Sequence, residues 1–149
     1  MSQTLLVVDD EPAIQKMLHK RGEKDGFQVI GALTLREGLR RAVEDAPDII
    51  LLDMSLPDGM GSQLLKQLQA EPRTRHIPIV VWSGMDRTET REKVLRAGAV
   101  AYLHKNDMTM LMVTLRAMSR GSQTRVIGSR QIDYEDALDD LAPRASIKR

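Results

Sequence analysis

Five short runs of aliphatic residues alternate along the chain with segments whose hydrophobic residues recur every three or four positions. The runs are rich in Val, Ile and Leu, and they predict β-strands at Thr4–Asp9, Phe27–Ala32, Asp48–Asp53, Ile77–Ser83 and Ala99–Leu103. Nearly continuous hydrophobicity is typical of parallel strands that are covered on both faces. The pattern therefore predicts an α/β protein with a mostly parallel sheet and right-handed crossovers.

The segments between and after the strands predict five helices. Pro12 suits a first helical turn, and Thr34 with Glu37 has the spacing of a capping box. The third helix should end before Pro72, and Gly98 is placed to stop the fourth. The hydrophobic positions of the five helices are Ile14, Met17 and Leu18; Leu35, Leu39, Ala42 and Val43; Leu64, Leu65 and Leu68; Val94 and Leu95; and Leu111, Met112, Leu115 and Met118.

Carboxylates stand where two of the hydrophobic strands end. Asp9, Asp10 and Glu11 close the first strand, and Asp53 closes the third. In such sheets the ligand site lies beyond the carboxyl ends of the strands, so these acids are expected to line a crevice rather than to be buried. Glu11 is most simply explained as an acid favoured by the dipole at a helix N-terminus.

The residues at these strand ends suit phosphoryl transfer. Clustered carboxylates raise a pKa or require a cation, and oxygen ligands favour Mg²⁺, which also neutralises phosphate oxygens. Ser83 offers a hydroxyl at the end of the fourth strand, Gly84 leaves room beside it, and Lys105 offers an ammonium group after the fifth strand. An aspartate nucleophile, a metal ion, a hydroxyl and a lysine would make a coherent phosphoryl-transfer site.

Composition narrows the class of protein without naming a function. The chain has 149 residues, enough for one domain, and its net charge of +1 gives no excess for coating nucleic acid or an anionic membrane. The absence of cysteine excludes disulfides and thiolate metal sites. No signal peptide or run of about 18 apolar residues is present, so a cytoplasmic protein is predicted.

The chain changes character after Arg120. The next residues are polar and contain two Gly-Ser pairs, which is typical of a linker, and residues 132–142 could form a short acidic helix. We expect one domain over residues 1–120 and a linker with a short tail over 121–149. No output domain is expected, hence no direct nucleic-acid binding; a stand-alone domain and a piece of a longer regulator are both compatible with this pattern.

Four segments match a known family in order and spacing. LLVVDDEP, IILLDMSLPDGMG, PIVVWSG and AGAVAYLHK resemble the response-regulator receiver domains of two-component signalling, and the resemblance covers roughly residues 3–119. It implies a flavodoxin-like, doubly wound sheet of five parallel strands in the order 2-1-3-4-5. It also implies that Asp53 accepts a phosphoryl group from a histidine kinase or phosphotransfer protein, with Mg²⁺ as cofactor.

The resemblance assigns a role to each matched residue. Asp10 and Asp53 would bind Mg²⁺ directly, and Asp9 would help through water. The whole predicted site consists of the phosphoacceptor Asp53; the metal ligands Asp9, Asp10, Asp53 and the backbone carbonyl of Ser55; and the phosphate-binding residues Ser83, Gly84 and Lys105.

Two residues are expected to carry the signal outward. In domains similar to these, Ser83 would move toward the phosphoryl group and Tyr102 would turn inward behind it. This movement would re-form the face made by the fourth helix, fifth strand and fifth helix. That face would then bind an unknown downstream protein or a second phosphorylated copy.

The sequence departs from the family pattern after Lys105. Receivers usually carry a proline there, preceded by a cis bond, whereas this chain has Asn106. A cis bond before a residue other than proline costs about 3–4 kcal/mol, so we expect a trans bond or visible strain. Ser55 and Met85 would flank the water that attacks the phosphoryl bond, and neither is an acid or amide, so slow self-dephosphorylation is expected.

Two other functions are compatible with an aspartate at a strand end. An aspartate-nucleophile phosphatase of the haloacid-dehalogenase type carries a second acid two residues after the nucleophile, where this chain has Ser55. That difference argues against an enzyme. A pseudo-receiver, which binds partners without taking phosphate, stays open because of Asn106, although all the expected site residues are present.

Overall fold

The computed structural model describes residues 3–84 and 88–120. Met85 and residues 121–149 lie outside this part, so the slow self-dephosphorylation, the linker and the acidic helix stay predictions. The main sheet has five strands: β1 Gln3–Val8, β2 Phe27–Ala32, β3 Ile49–Asp53, β4 Ile79–Ser83 and β5 Ala101–His104. The helices of the described residues are α1 Pro12–Lys24, α2 Leu35–Asp45, α3 Gly61–Ala70, α4 Thr88–Arg96 and α5 Met108–Arg120.

The five strands form one parallel sheet in the order β2-β1-β3-β4-β5. This order confirms the predicted flavodoxin-like arrangement, with the first strand near the centre and the fifth at an edge. The register places Asp53 beside Trp82 and Ser83 beside His104. The carboxyl ends of β1, β3, β4 and β5 consequently meet at one edge of the sheet.

Alternate residues of each strand face two separate hydrophobic cores. Leu6, Val8, Ile50 and Leu52 pack with α2, α3 and α4 on one face of the sheet. Leu5, Val7, Ile49 and Leu51 pack with α1 and α5 on the other. Because both faces are covered, the central strands are hydrophobic at nearly every position between their ends, and this explains their nearly continuous aliphatic runs. Among the described residues, no helix is both long and apolar enough to cross a membrane.

A short hairpin follows β3 and shapes the edge of the sheet. Ser55–Leu56 pairs antiparallel with Gly59–Met60, and the N–H of Gly61 donates to the carbonyl of Met54 at 2.7 Å. A Cβ atom at Gly61 would collide with the carbonyl oxygen of Asp53. Only glycine therefore allows α3 to begin so close to the end of β3, and the sequence analysis did not predict this hairpin.

The predicted helix ends are confirmed where they were specified. Thr34 Oγ1 accepts a hydrogen bond from the N–H of Glu37 at 3.1 Å, as in a capping box, but Glu37 Oε1 accepts at 2.9 Å from the N–H of Leu33, the residue before the N-cap, rather than from that of Thr34. The third helix ends at Ala70, before Pro72. Gly98 follows the fourth helix with a φ of 119°, a conformation that favours glycine.

Candidate functional site

The residues predicted from the strand ends come together in one cleft. This open cleft at the carboxyl edge of the sheet has a volume of about 540 Å³. Its lining residues come from the ends of β3 and β4 and from the segments that follow β1, β3, β4 and β5: Asp10, Glu11, Asp53, Ser55, Met60, Ser83, Gly84 and Lys105. Parallel topology, rather than proximity in the sequence, assembles the site.

Three aspartates form the acidic centre of the cleft. One carboxylate oxygen from each of Asp9, Asp10 and Asp53 lies within 4.8 Å of the other two. Asp10 and Asp53 line the cleft, as expected, although Asp53 is only 5% exposed, and the expectation is wrong for Asp9, which is 0% exposed. Burial of Asp9 and Asp53 is tolerable because each is paired with the ammonium group of Lys105.

This cluster fits a hard divalent cation such as Mg²⁺. All three side chains present oxygen donors, which Mg²⁺ and Ca²⁺ prefer, and Asp10 faces solvent, from which an ion and its waters could enter. Ser55 is also on the wall of the cleft. The donor set is unsuited to soft metals, since it offers neither thiolate nor imidazole.

Lys105 lies among the carboxylates. Its Nζ is 2.8 Å from Glu11 Oε1, 2.9 Å from Asp9 Oδ2 and 3.3 Å from Asp53 Oδ2. Partial burial acts to lower the pKa of Lys105, but the contacts with Asp9, Glu11 and Asp53 outweigh it and raise the pKa above the ordinary lysine value. The lysine therefore stays charged at every physiological pH.

The peptide bond between Lys105 and Asn106 is trans. A trans bond is one of the two outcomes that the sequence predicted. The N–H of Asn106 donates to Nδ1 of His104 at 3.2 Å, a hydrogen bond that proline could not make. The N–H of Lys105 donates to the carbonyl of Ser83 at 2.9 Å. The departure from the family pattern thus leaves the ammonium group within reach of Asp53.

The environment of Asp53 disfavours its charged form. Burial, followed by the nearby charge of Asp9, raises the pKa of Asp53, and the Lys105 ammonium only partly offsets this. A cation bound beside Asp53 would favour the charged form, because it would offset both the burial of the carboxylate and the negative charge of Asp9. Asp53 combines this destabilised charge with an open path to the cleft.

The two residues predicted to carry the signal are both buried. Ser83 is 1% exposed at the end of β4, and a side chain at the neighbouring Gly84 would meet open space. Tyr102 is 5% exposed and packs in the core beneath α2, α3 and α4. Tyr102 is thus already inward in this structure, and a role in switching stays a prediction.

Some residues that organise the cleft were missed by the sequence analysis. Glu11 makes no side-chain cap for α1 and instead contacts Lys105. Gln15 Nε2 lies 2.9 Å from the carbonyl of Val7, 3.0 Å from that of Asp9 and 3.2 Å from that of Ala32, so it ties β1 to β2 beside the acidic cluster. No local pattern announces such contacts, because they depend on how far a side chain reaches in the folded state.

The chain matches one family model and several curated proteins. A family model described as the response regulator receiver domain matches residues 5–116. The KDP operon transcriptional regulatory protein KdpE of Escherichia coli is 33% identical over 141 residues, covering 94% of this chain and 61% of that protein. The phosphate regulon transcriptional regulatory protein PhoB of the same species is 38% identical over 105 residues, covering 70% of this chain and 46% of that protein.

Solved structures agree with the fold. The chemotaxis protein CheY4 of Vibrio cholerae superimposes with a TM-score of 0.71 at 25% identity, covering 78% of this chain and 98% of that one. The two curated relatives are longer than the match: this chain spans 61% of one and 46% of the other.

Proposed function

Because this chain belongs to the family of response regulator receiver domains, we propose that it is a phosphoacceptor whose Asp53 receives the phosphoryl group. Receivers are signalling domains of two-component systems, and phosphorylation and Mg²⁺ are general features of the family. The proposed output is a change of surface in response to phosphorylation, with no turnover of a metabolite.

The arrangement around Asp53 carries this proposal. Its carboxylate oxygen lies within 4.8 Å of oxygens from two other aspartates, and Lys105 Nζ is 3.3 Å away. Ser83 and Gly84 border the same cleft. A nucleophile, a cation site and a permanent ammonium group are what an incoming phosphoryl group requires.

The transfer step follows from these positions. An oxygen of Asp53 attacks phosphorus, and the bond from phosphorus to the imidazole nitrogen of a phosphohistidine breaks. The nitrogen keeps the electron pair. Because the phosphorylated imidazole reacts with its other nitrogen protonated, the donor leaves as neutral histidine, and Asp53 becomes an aspartyl phosphate. Lys105 and the hydroxyl of Ser83 would donate to the phosphoryl oxygens. Mg²⁺, held by Asp9, Asp10, Asp53 and the Ser55 carbonyl, would neutralise charge on those oxygens.

The proposed partners follow from the same chemistry. The donor is a histidine kinase or a phosphotransfer protein, and the responding surface is the face formed by α4, β5 and α5, which would bind a downstream protein or a second copy. The prediction that the chain binds no nucleic acid directly stays a prediction, and both curated relatives are named as transcriptional regulators.

Intact-mass spectrometry tests the proposal. The wild type is incubated with Mg²⁺ and acetyl phosphate beside Asp53→Asn, which keeps the shape of the side chain but removes the nucleophile. We expect the mass of one phosphoryl group on the wild type and none on the variant, and we expect loss of the adduct under alkaline hydroxylamine.

A stable adduct on both proteins would contradict the assignment of Asp53. If neither protein is modified by acetyl phosphate, by a purified histidine kinase or by a phosphotransfer protein, the chain is not a phosphoacceptor. The pseudo-receiver then becomes the better description, and partners of the unmodified protein should be sought.

A further inference from the structure

Glu11 lies at the cleft but has no role in the proposed transfer step. We infer that Glu11 is a positioning residue for Lys105: its carboxylate competes for the ammonium group and so weakens the binding of a phosphoryl group at Asp53. This inference rests on the proposed function, because the phosphoryl group is what Lys105 would bind.

The conformation of Glu11 shows that its side chain is not used as a helix cap. Glu11 is the N-cap of α1, with φ −86° and ψ 116°, and its side chain makes no capping hydrogen bond. Its backbone is engaged locally, since its N–H donates to Asp9 Oδ1 at 2.9 Å and its carbonyl accepts from the N–H of Gln15 at 3.1 Å. The carboxylate instead reaches Lys105, 94 positions along the chain.

The contacts of Lys105 leave no donor free for a new partner. An ammonium group has three N–H donors, and Lys105 has three carboxylate partners, of which Glu11 is the nearest at 2.8 Å and Asp53 the farthest at 3.3 Å. Charge-assisted hydrogen bonds are usually 2.7–2.9 Å long. A phosphoryl oxygen must therefore displace one of these carboxylates from the ammonium group, and the short contact with Glu11 opposes that exchange.

The charge of Glu11 acts in the same sense as its position. Glu11 Oε1 and Asp53 Oδ2 both contact Lys105 Nζ, so they are separated by no more than the sum of 2.8 and 3.3 Å. An aspartyl phosphate would carry about −1.5 to −2 charge at the Asp53 end of this short distance, where the free carboxylate carries −1. The separation is below the Debye length of about 8 Å at physiological salt, so screening leaves much of the repulsion.

The substitution Glu11→Gln tests the effect of the Glu11 charge on Lys105 without disrupting the fold. The amide keeps the length of the side chain and one oxygen facing Lys105, but it removes the negative charge, and Glu11 is an exposed residue. Glu23→Gln is the matched control, because it removes one charge from an exposed position on the same helix. Twelve residues at 1.5 Å per residue place it about 18 Å from Glu11.

The experiment measures affinity for beryllium fluoride, a phosphoryl mimic, by calorimetry at saturating Mg²⁺. We expect Glu11→Gln to bind it about two- to fivefold more tightly than the wild type, the usual size of one partly exposed charge contact. Glu23→Gln should match the wild type, and Glu11→Asp, which restores the charge, should lie near it. The gain should shrink in high salt, which a merely structural role would not produce.

Three results would overturn the inference. They are unchanged affinity in Glu11→Gln, weaker affinity, and weaker binding of Mg²⁺ itself, which would make Glu11 part of the metal site. Failure of the proposed function looks different: the wild type would neither bind beryllium fluoride nor take a phosphoryl group from any donor, and the inference would fall with it.

Discussion

At the scale of single residues, the environment of the site disfavours the charged form of its central carboxylate. Asp53 is buried beside Asp9, and both effects raise the pKa of Asp53. A carboxyl group whose pKa is higher in the folded state binds more protons there than in the unfolded chain. Its contribution to stability therefore falls as pH rises above the ordinary aspartate pKa of 3.8 and through the raised value.

The raised pKa of Asp53 gives a prediction for stability. Asp53→Asn should raise the free energy of unfolding at pH 7 by about 0.5–2 kcal/mol, the usual gain when a strained functional residue is replaced. The advantage of the variant should shrink as pH falls through the raised pKa of Asp53 toward the ordinary value of 3.8, because the carboxyl group then becomes protonated in both states. Urea unfolding of both proteins across this pH range measures it, and a less stable variant at pH 7 would contradict the electrostatic account.

Asp10 gives a separate test of the metal site. It is exposed, and its carboxylate belongs to the acidic cluster. Asp10→Asn should weaken Mg²⁺ binding at least about tenfold, as loss of metal-site residues commonly does. Calorimetry and the rise of the unfolding temperature with Mg²⁺ both report this. Equal Mg²⁺ affinity in Asp10→Asn and the wild type would exclude Asp10 as a ligand, and Glu23→Gln serves as the charge control.

At the scale of elements, the N-terminus of α2 links the fold to the cleft. Thr34 caps the N–H of Glu37 as predicted, and the carboxylate of Asp58 also accepts from the N–H groups of Leu35 at 2.7 Å and Arg36 at 3.1 Å. The hydrogen bond from Leu35 is the main cause that lowers the pKa of Asp58. Asp58 follows Asp53 in the hairpin segment, so the loop after the proposed phosphoacceptor is fastened to the start of a helix.

The capping interactions predict a graded loss of stability. Thr34→Ala should lower the free energy of unfolding by about 1 kcal/mol, because the N–H of Glu37 loses its partner. Thr34→Ser keeps the hydroxyl and is the matched control, which should stay close to the wild type. Thermal unfolding monitored by circular dichroism measures both, and an unchanged Thr34→Ala protein would show that Asp58 alone is a sufficient cap.

Elements were more predictable than their irregular connections. Each of the five main strands begins and ends within two residues of its predicted bounds. These bounds could be predicted because the hydrophobic pattern of a strand reflects its burial. The hairpin at Ser55–Met60 was not predicted, since its two-residue strands are too short to carry a period. The cap from Asp58 was also missed, because its two partners are 23 and 22 positions away.

At the scale of the whole molecule, parallel topology made the site predictable as a group of residues. Strands that run in one direction bring their carboxyl ends to one edge, so Asp53, Ser83 and Lys105 could be placed together before any distance was known. The burial of Asp9 and the contact between Glu11 and Lys105 could not be predicted in this way. Both depend on side-chain reach across loops, which neither periodicity nor topology specifies.

The strand order also has a consequence for how the molecule is made. β2, β1 and β3 are neighbours, so residues 3–53 can pair into three of the five strands of the sheet while later residues are still being synthesised. β4 and β5 then add one after the other at the open edge. The contact between Glu11 and Lys105 spans 94 positions, so it is among the last to form as the chain emerges from the ribosome. A nascent chain would display its acidic residues long before its lysine, and competence for signalling would arrive only with the final strand.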